Sequence, residues 1–162
     1  MNVFYLDKCP VKSAEAQCDK HVVKMILETA QLLSTAHRVL DGDKYADHAG
    51  LYKATHKNHP SAVWVRQSAG NYRWLHRHLI ALCSEYTRRY KKLHATERLV
   101  HHLREQPQNM IGNDFAAPPQ CMPDEYHCTD SVAAYRSYYK HDKLSQPWAK
   151  YSYTEMPSWT MQ

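Results

Sequence analysis

Apolar residues recur every three to four positions from Asp19 to Leu40 (DKHVVKMILETAQLLSTAHRVL), and this period predicts one long amphipathic helix. Val22, Ile26, Thr29, Leu33, Ala36 and Leu40 fall on the face that would be buried. His21, Lys24, Glu28, Gln31 and Thr35 form a second, polar stripe on the opposite side, bordered by Met25 and Leu32 on one flank and Leu27 on another. Side chains three and four apart touch on a helix, so Lys24 is expected within reach of both His21 and Glu28. Two readings fit this stripe: a surface ion pair beside a helix-start histidine, or an active site, because both gather titratable groups. The helix would run ~33 Å, against a radius of gyration of ~15 Å for a chain of this size. It would therefore cross the whole domain and serve as its central element.

The remaining pattern reads as shorter helices joined by polar loops. Asn2 to Leu6 (NVFYL) is apolar and fits a short strand or a packed N-terminal arm, ended by Pro10. Ser13 is placed to cap a first helical turn, and a break is expected near Cys18 and Asp19. Asp41-Gly42-Asp43 ends the central helix. The segment from Asp41 to Pro60 is polar and holds His48, His56 and His59, as a solvated loop or a loop near phosphate would. After Pro60, SAVWVRQSAGN predicts a short helix broken at Gly70-Asn71. A second long helix is expected from Tyr72 to Lys92, with Trp74, Leu75, Leu79, Leu82, Cys83 and Tyr86 inward. Its basic residues Arg73, Arg77, Arg88 and Arg89 are candidate phosphate contacts, although cations in the last turn also complement the helix dipole. A third helix is predicted over Thr96 to Glu105, a loop over Gln106 to Pro123, and a last helix from Thr129 to about Tyr139. The expected fold is mostly α: a single compact helical domain, 1–162, around one long central helix, with an aromatic C-terminal tail.

Composition sharpens the functional reading. The net charge of +5 only weakly favours a polyanionic partner. More informative are 12 Tyr, 12 His and 4 Trp against 2 Phe, because side chains with an apolar body and a polar tip suit a stacking surface better than a dry core. In the tail, Tyr135, Tyr138, Tyr139, Trp148, Tyr151, Tyr153 and Trp159 are interleaved with Arg136, Lys140, Lys143 and Lys150, most tellingly in Pro147 to Tyr153. Bases stack on such rings while phosphates pair with the cations between them; the competing reading packs the rings as core. Five cysteines without a CxxC pair, and no signal peptide, point to reduced thiols in a cytoplasm. Cys128 follows His127, but its spacing to Cys121 matches no zinc module, so neither metal nor cofactor is expected. No apolar run reaches the ~18 residues of a membrane span. Phosphate-binding and nucleophile-elbow motifs are absent.

The run CDKHVVKMILE, Cys18 to Glu28, resembles the first-helix motif of the pyrimidine-dimer DNA glycosylase/AP lyase of T-even phages. That motif is Asp-x-His with the catalytic glutamate seven residues after the histidine, which places His21 and Glu28 at the matching positions. The family's tail, rich in Trp, Lys and Tyr after a proline, resembles Pro147 to Tyr153. The longer run CDKHVVKMILETAQLLSTAHR is similar to a group of short marine-phage proteins. This chain departs from the glycosylase motif where Leu27 stands in place of an arginine, and where the arm before His21 is longer. The resemblance implies a small helical DNA repair or base-processing enzyme, working without metal in the cytoplasm of an infected bacterium. It would act on a damaged or modified pyrimidine through an amine Schiff base, with Glu28 managing protons and His21 contacting phosphate or orienting Glu28. The family's nucleophile is its N-terminal amine. Here the candidates are the amine of Met1, since Asn2 disfavours removal of that methionine, and Lys24. α-Amines in general titrate at ~7.7–8.0 and lysine amines at ~10.4, which favours the terminus, whereas the shared helix face favours Lys24. The reading from a different class is a non-catalytic phage nucleic-acid-binding protein in which His21, Lys24 and Glu28 form a structural network.

Overall fold

The computed structural model describes residues 1–162 and contains helices, helical turns and loops, with no β-strand. Six α-helices are present: α1 (Pro10–Glu15), α2 (Asp19–Asp41), α3 (Asp43–His48), α4 (Pro60–Gln67), α5 (Ala69–Tyr90) and α6 (Ser131–Tyr138). Short 3-10 turns lie at Ala95–Leu99, Asp124–Tyr126 and Ser158–Met161, and a π-helical turn, Tyr139–Lys143, continues α6.

The long central helix is α2. Extended backbone at Cys18 (ψ 161°) separates it from α1, and Gly42 at φ +80° ends it, donating its N–H to the Arg38 carbonyl at 3.1 Å. That left-handed conformation is one a side chain rarely tolerates, which is why glycine stands there. Val22, Ile26, Leu33 and Ala36 are fully buried, as their face requires, and Leu40 is half-buried. They meet Leu75, Leu79 and Leu82 of α5, also fully buried. Each such aliphatic side chain contributes roughly 1.5–3 kcal/mol of burial. The two helices run antiparallel: Asp19 of α2 meets Arg89 of α5 at one end, and His37 meets Tyr72 at the other.

Several boundaries differ from the sequence reading, each for a local reason. The break before α5 falls at Ser68, whose hydroxyl accepts the Asn71 N–H, so Gly70 and Asn71 lie inside the helix. Gly70 is needed there for close approach, because a Cβ would sit 2.6 Å from the Phe115 nitrogen of the loop crossing it. The polar segment after Gly42 contains α3, held by Arg38 bonding Asp43 and Asp47 at 2.8 Å each. The helix expected over Thr96 to Glu105 is instead a 3-10 turn at Ala95–Leu99 followed by irregular turns. Asp130, not Thr129, caps α6, accepting the N–H groups of Val132 and Ala133. The apolar segment Asn2 to Leu6 is a packed arm, with Val3, Phe4, Tyr5 and Leu6 all buried. No helix is long and apolar enough to cross a membrane.

Candidate active-site cleft

A cleft of about 920 Å³ opens where the N-terminal half of α2, the arm, the end of α5 and the tail converge. From α2 it takes Lys20, His21, Lys24 and Glu28; from the arm, Met1, Asn2 and Phe4. Tyr90 of α5, Tyr138 and Lys143 near the π-helical turn, and Trp148, Lys150 and Tyr153 of the tail complete its walls.

The arm reaches the cleft by reversing direction, and its own side chains fix the reversal. Phe4 sits at φ +54°, a left-handed conformation that is strained for an aromatic residue. Its carbonyl accepts from the Leu6 N–H (2.8 Å) and from the Ser13 hydroxyl (2.9 Å). Asn2 Oδ1 accepts from the Val3 and Phe4 N–H groups, while its amide donates to the Cys121 carbonyl at 2.9 Å. These bonds bring the α-amino nitrogen of Met1 to 3.9 Å from Glu28 Oε1. The Met1 side chain is buried, while Glu28 keeps 18 % of its side chain exposed at the cleft wall. Lys24, in contrast, forms no ion pair with Glu28. It is exposed and projects from the same wall, so the amine beside the carboxylate is the terminal one.

His21 is held in one orientation. Its ring stacks on Phe4 (centroids 4.6 Å apart, 17° between planes) and lies 5.1 Å from Trp148. Nδ1 is 2.8 Å from the Tyr139 hydroxyl, which also accepts the Cys18 N–H at 2.9 Å. These two bonds and the stacked Phe4 ring fix the plane of the imidazole. Burial, reinforced by Lys143 and Lys24, lowers the His21 pKa to about 4. At neutral pH the imidazole is thus uncharged rather than a cation.

Cations and aromatic faces surround this pair of groups. Lys20 lies 5.9 Å from the centre of the Trp148 ring, and Lys143 4.9 Å from that of Tyr138. Tyr153 packs on Tyr90 at 5.0 Å. Lys143 pairs with Asp142 at 3.2 Å, whereas Lys20, Lys24 and Lys150 have no carboxylate within ion-pair distance. The cleft thus offers hydrogen-bond donors and flat rings, the requirements of a nucleic-acid strand.

Met1, His21, Lys24, Glu28, Trp148, Lys150 and Tyr153 are brought together from the residues that the sequence nominates. Others are placed elsewhere. Tyr151 is half-buried, its hydroxyl donating to the Ala16 carbonyl at 2.6 Å. Arg73 and Arg77 are exposed on α5 but do not line the cleft. Arg88 forms a bidentate pair with Glu85 (3.0 and 2.7 Å). Arg89 does not serve as a phosphate contact: it is buried, bonding Glu85, Asp19 and the carbonyls of Glu15 and Gln17. Its spacing to Glu85, four residues on one helix, is the sequence signal that foretells such pairing. Tyr138 and Lys143, from the interleaved tail, also line the cleft, and Phe4, Lys20 and Tyr90 line it without having been nominated by the sequence. Only Lys20, one turn before Lys24 on α2, carries a local signal. Nowhere do three His, Cys, Asp or Glu side chains converge in a metal-holding arrangement.

A family model described as pyrimidine dimer DNA glycosylase matches residues 1–98, a stretch that holds Met1, His21, Lys24 and Glu28 and stops before the tail. No curated protein and no solved structure matches the chain.

Proposed function

The chain belongs to the pyrimidine dimer DNA glycosylase family, and from that premise and the cleft's geometry we propose a DNA glycosylase with AP lyase activity on a damaged or modified pyrimidine. The observation that carries this reading is the Met1 α-amine 3.9 Å from Glu28 Oε1 in a cleft of lysines and aromatic rings. In the first step the amine nitrogen bonds to the sugar C1′ of an extruded nucleotide, and the N-glycosidic bond breaks with its electrons leaving on the base. Glu28 accepts the proton that the nitrogen loses and returns it to O4′ as the C1′–O4′ bond breaks and the sugar ring opens, so that the carboxylate, charged again, stabilises the cationic Schiff base. Removal of a proton from C2′ then expels the 3′ phosphate by β-elimination. His21, uncharged at neutral pH, contacts the flanking phosphate, a role that requires its ring hydrogen on Nε2. Trp148 and Tyr153 stack against bases, and Lys20, Lys24 and Lys150 follow the backbone.

The test is borohydride reduction in the presence of duplex DNA with one abasic site, which fixes a Schiff base as a covalent cross-link. The native protein should cross-link, with peptide mapping placing the adduct on Met1, and Lys24→Gln should still cross-link. Glu28→Gln should keep the native melting temperature and trap about 10²–10⁴-fold more slowly. Absent trapping by the native chain, or undiminished trapping by Glu28→Gln, would leave a DNA-binding protein without this chemistry.

A further inference from the structure

We propose that Asp19 is a positioning residue that latches the tail onto the start of α2 and so sets the aromatic and cationic wall of the cleft. Trp148 to Thr154 belong to no helix or strand, so few bonds decide where this segment lies. Several of them meet at Asp19. Its N–H donates to the Lys150 carbonyl at 2.9 Å, and its Oδ2 accepts the Ser152 N–H at 2.6 Å. One residue thus grips the backbone on both sides of Tyr151.

The other carboxylate oxygen, Oδ1, accepts from Arg89 Nη1 at 3.2 Å. Both partners are buried, Asp19 at 6 % and Arg89 at 3 % exposure. A buried carboxylate needs a cation and a full set of donors, and here the donors come from two different parts of the chain. Arg89 is itself immobilised by Glu85 and by the carbonyls that precede α2. The carboxylate is therefore oriented from the α5 side, and the tail takes its place from the carboxylate. Trp148, Lys150 and Tyr153, the tail's contribution to the cleft, sit within four residues of the grip.

Asp19→Asn discriminates this role from simple burial of a counter-ion. An amide has one acceptor oxygen, so one of the two donors, Ser152 N–H or the Arg89 guanidinium, would face an NH2 group. Hydrogen exchange on the full chain without DNA reads the outcome. Residues 148–154 should exchange about tenfold or more faster, with α2 and α5 unchanged. Ser152→Pro removes the tail's donor alone and leaves the Asp19–Arg89 pair intact; it should give the same local acceleration. If Asp19→Asn loosens the whole molecule, Ser152→Pro decides: acceleration confined to the tail supports the latch. Native exchange of the tail in Ser152→Pro, or in both variants, overturns it. The functional consequence rests on the glycosylase reading: KM for abasic duplex should rise about tenfold with kcat within about twofold, a split that a loss of folded protein would not produce. Exchange is measured on the protein alone, so a native chain that fails to trap abasic DNA would remove the enzyme reading and leave the latch still tested.

Discussion

The two ends of α2 carry similar residues and use them in opposite ways. Toward the C-terminus, Arg38 is closed on all sides: Asp43 and Asp47 at 2.8 Å, the Tyr52 carbonyl at 2.7 Å and the Leu51 carbonyl at 3.0 Å. Asp41 accepts the N–H groups of Gln108 and Asn109, and His37 Nε2 meets the Tyr72 hydroxyl. Toward the N-terminus, Lys20 and Lys24 have no carboxylate partner, and Glu28 faces an amine across 3.9 Å. Charged side chains on a helix face are thus no sign of a site in themselves. What distinguishes the site is that the chain returning to it brings rings and further cations rather than counter-charges.

Breaking the closed end should cost stability and nothing else. Arg38→Met leaves the Leu51 and Tyr52 carbonyls without a donor and should destabilise the fold by about 3 kcal/mol in urea titration. DNA affinity should be unchanged; a comparable loss of affinity in the folded variant would make the two ends one coupled unit.

Acid sharpens the comparison from the open end. His21 has a folded pKa near 4 against an ordinary value of 6.5, so between these limits the unfolded chain binds a proton that the folded chain refuses. Stability contributed by the neutral ring is complete above pH ~6.5 and falls as pH drops toward ~4, by about 1.4 kcal/mol per pH unit. His21→Gln should flatten the stability–pH slope by about that amount. An unaltered slope would mean that the ring is solvated in the native protein.

The smallest effect concerns single lysines. Lys24→Gln should lower the dependence of log affinity on log salt by about 0.9, the loss of one neutralised duplex phosphate. Arg77→Gln, on the exposed side of α5 outside the cleft, should leave the slope unchanged. Equal slopes for both variants would place DNA on a surface other than the cleft.

Much of this was legible in the residue pattern because it is local. α2 begins at Asp19 as its period and the break at Cys18 require, and ends one residue beyond Leu40. The buried face was readable for the same reason, and so were His21 and Glu28, two turns apart on one helix. The tertiary part was not. Arg88 and Arg89 look alike in sequence, yet only Arg89 points between α1 and α2 and is buried. Tyr151 and Tyr153 are two residues apart in an irregular strap, and the side each presents depends on where Asp19 grips it. The arm's reversal at Phe4 defies propensity outright, since no rule nominates phenylalanine for a left-handed backbone. It persists because Ser13, Asn2 and the His21 ring over-determine it.

The bond between Asn2 and Cys121 spans 119 positions, and that between Asp19 and Ser152 spans 133. Contacts of such high sequence separation form late, after the loop-closure entropy between them has been overcome. The α2–α5 pair closes a shorter loop, 70 positions between Asp19 and Arg89, whereas the cleft needs both ends of the chain. A chain in which these contacts are open therefore presents its terminal amine without the walls that surround it in the folded protein.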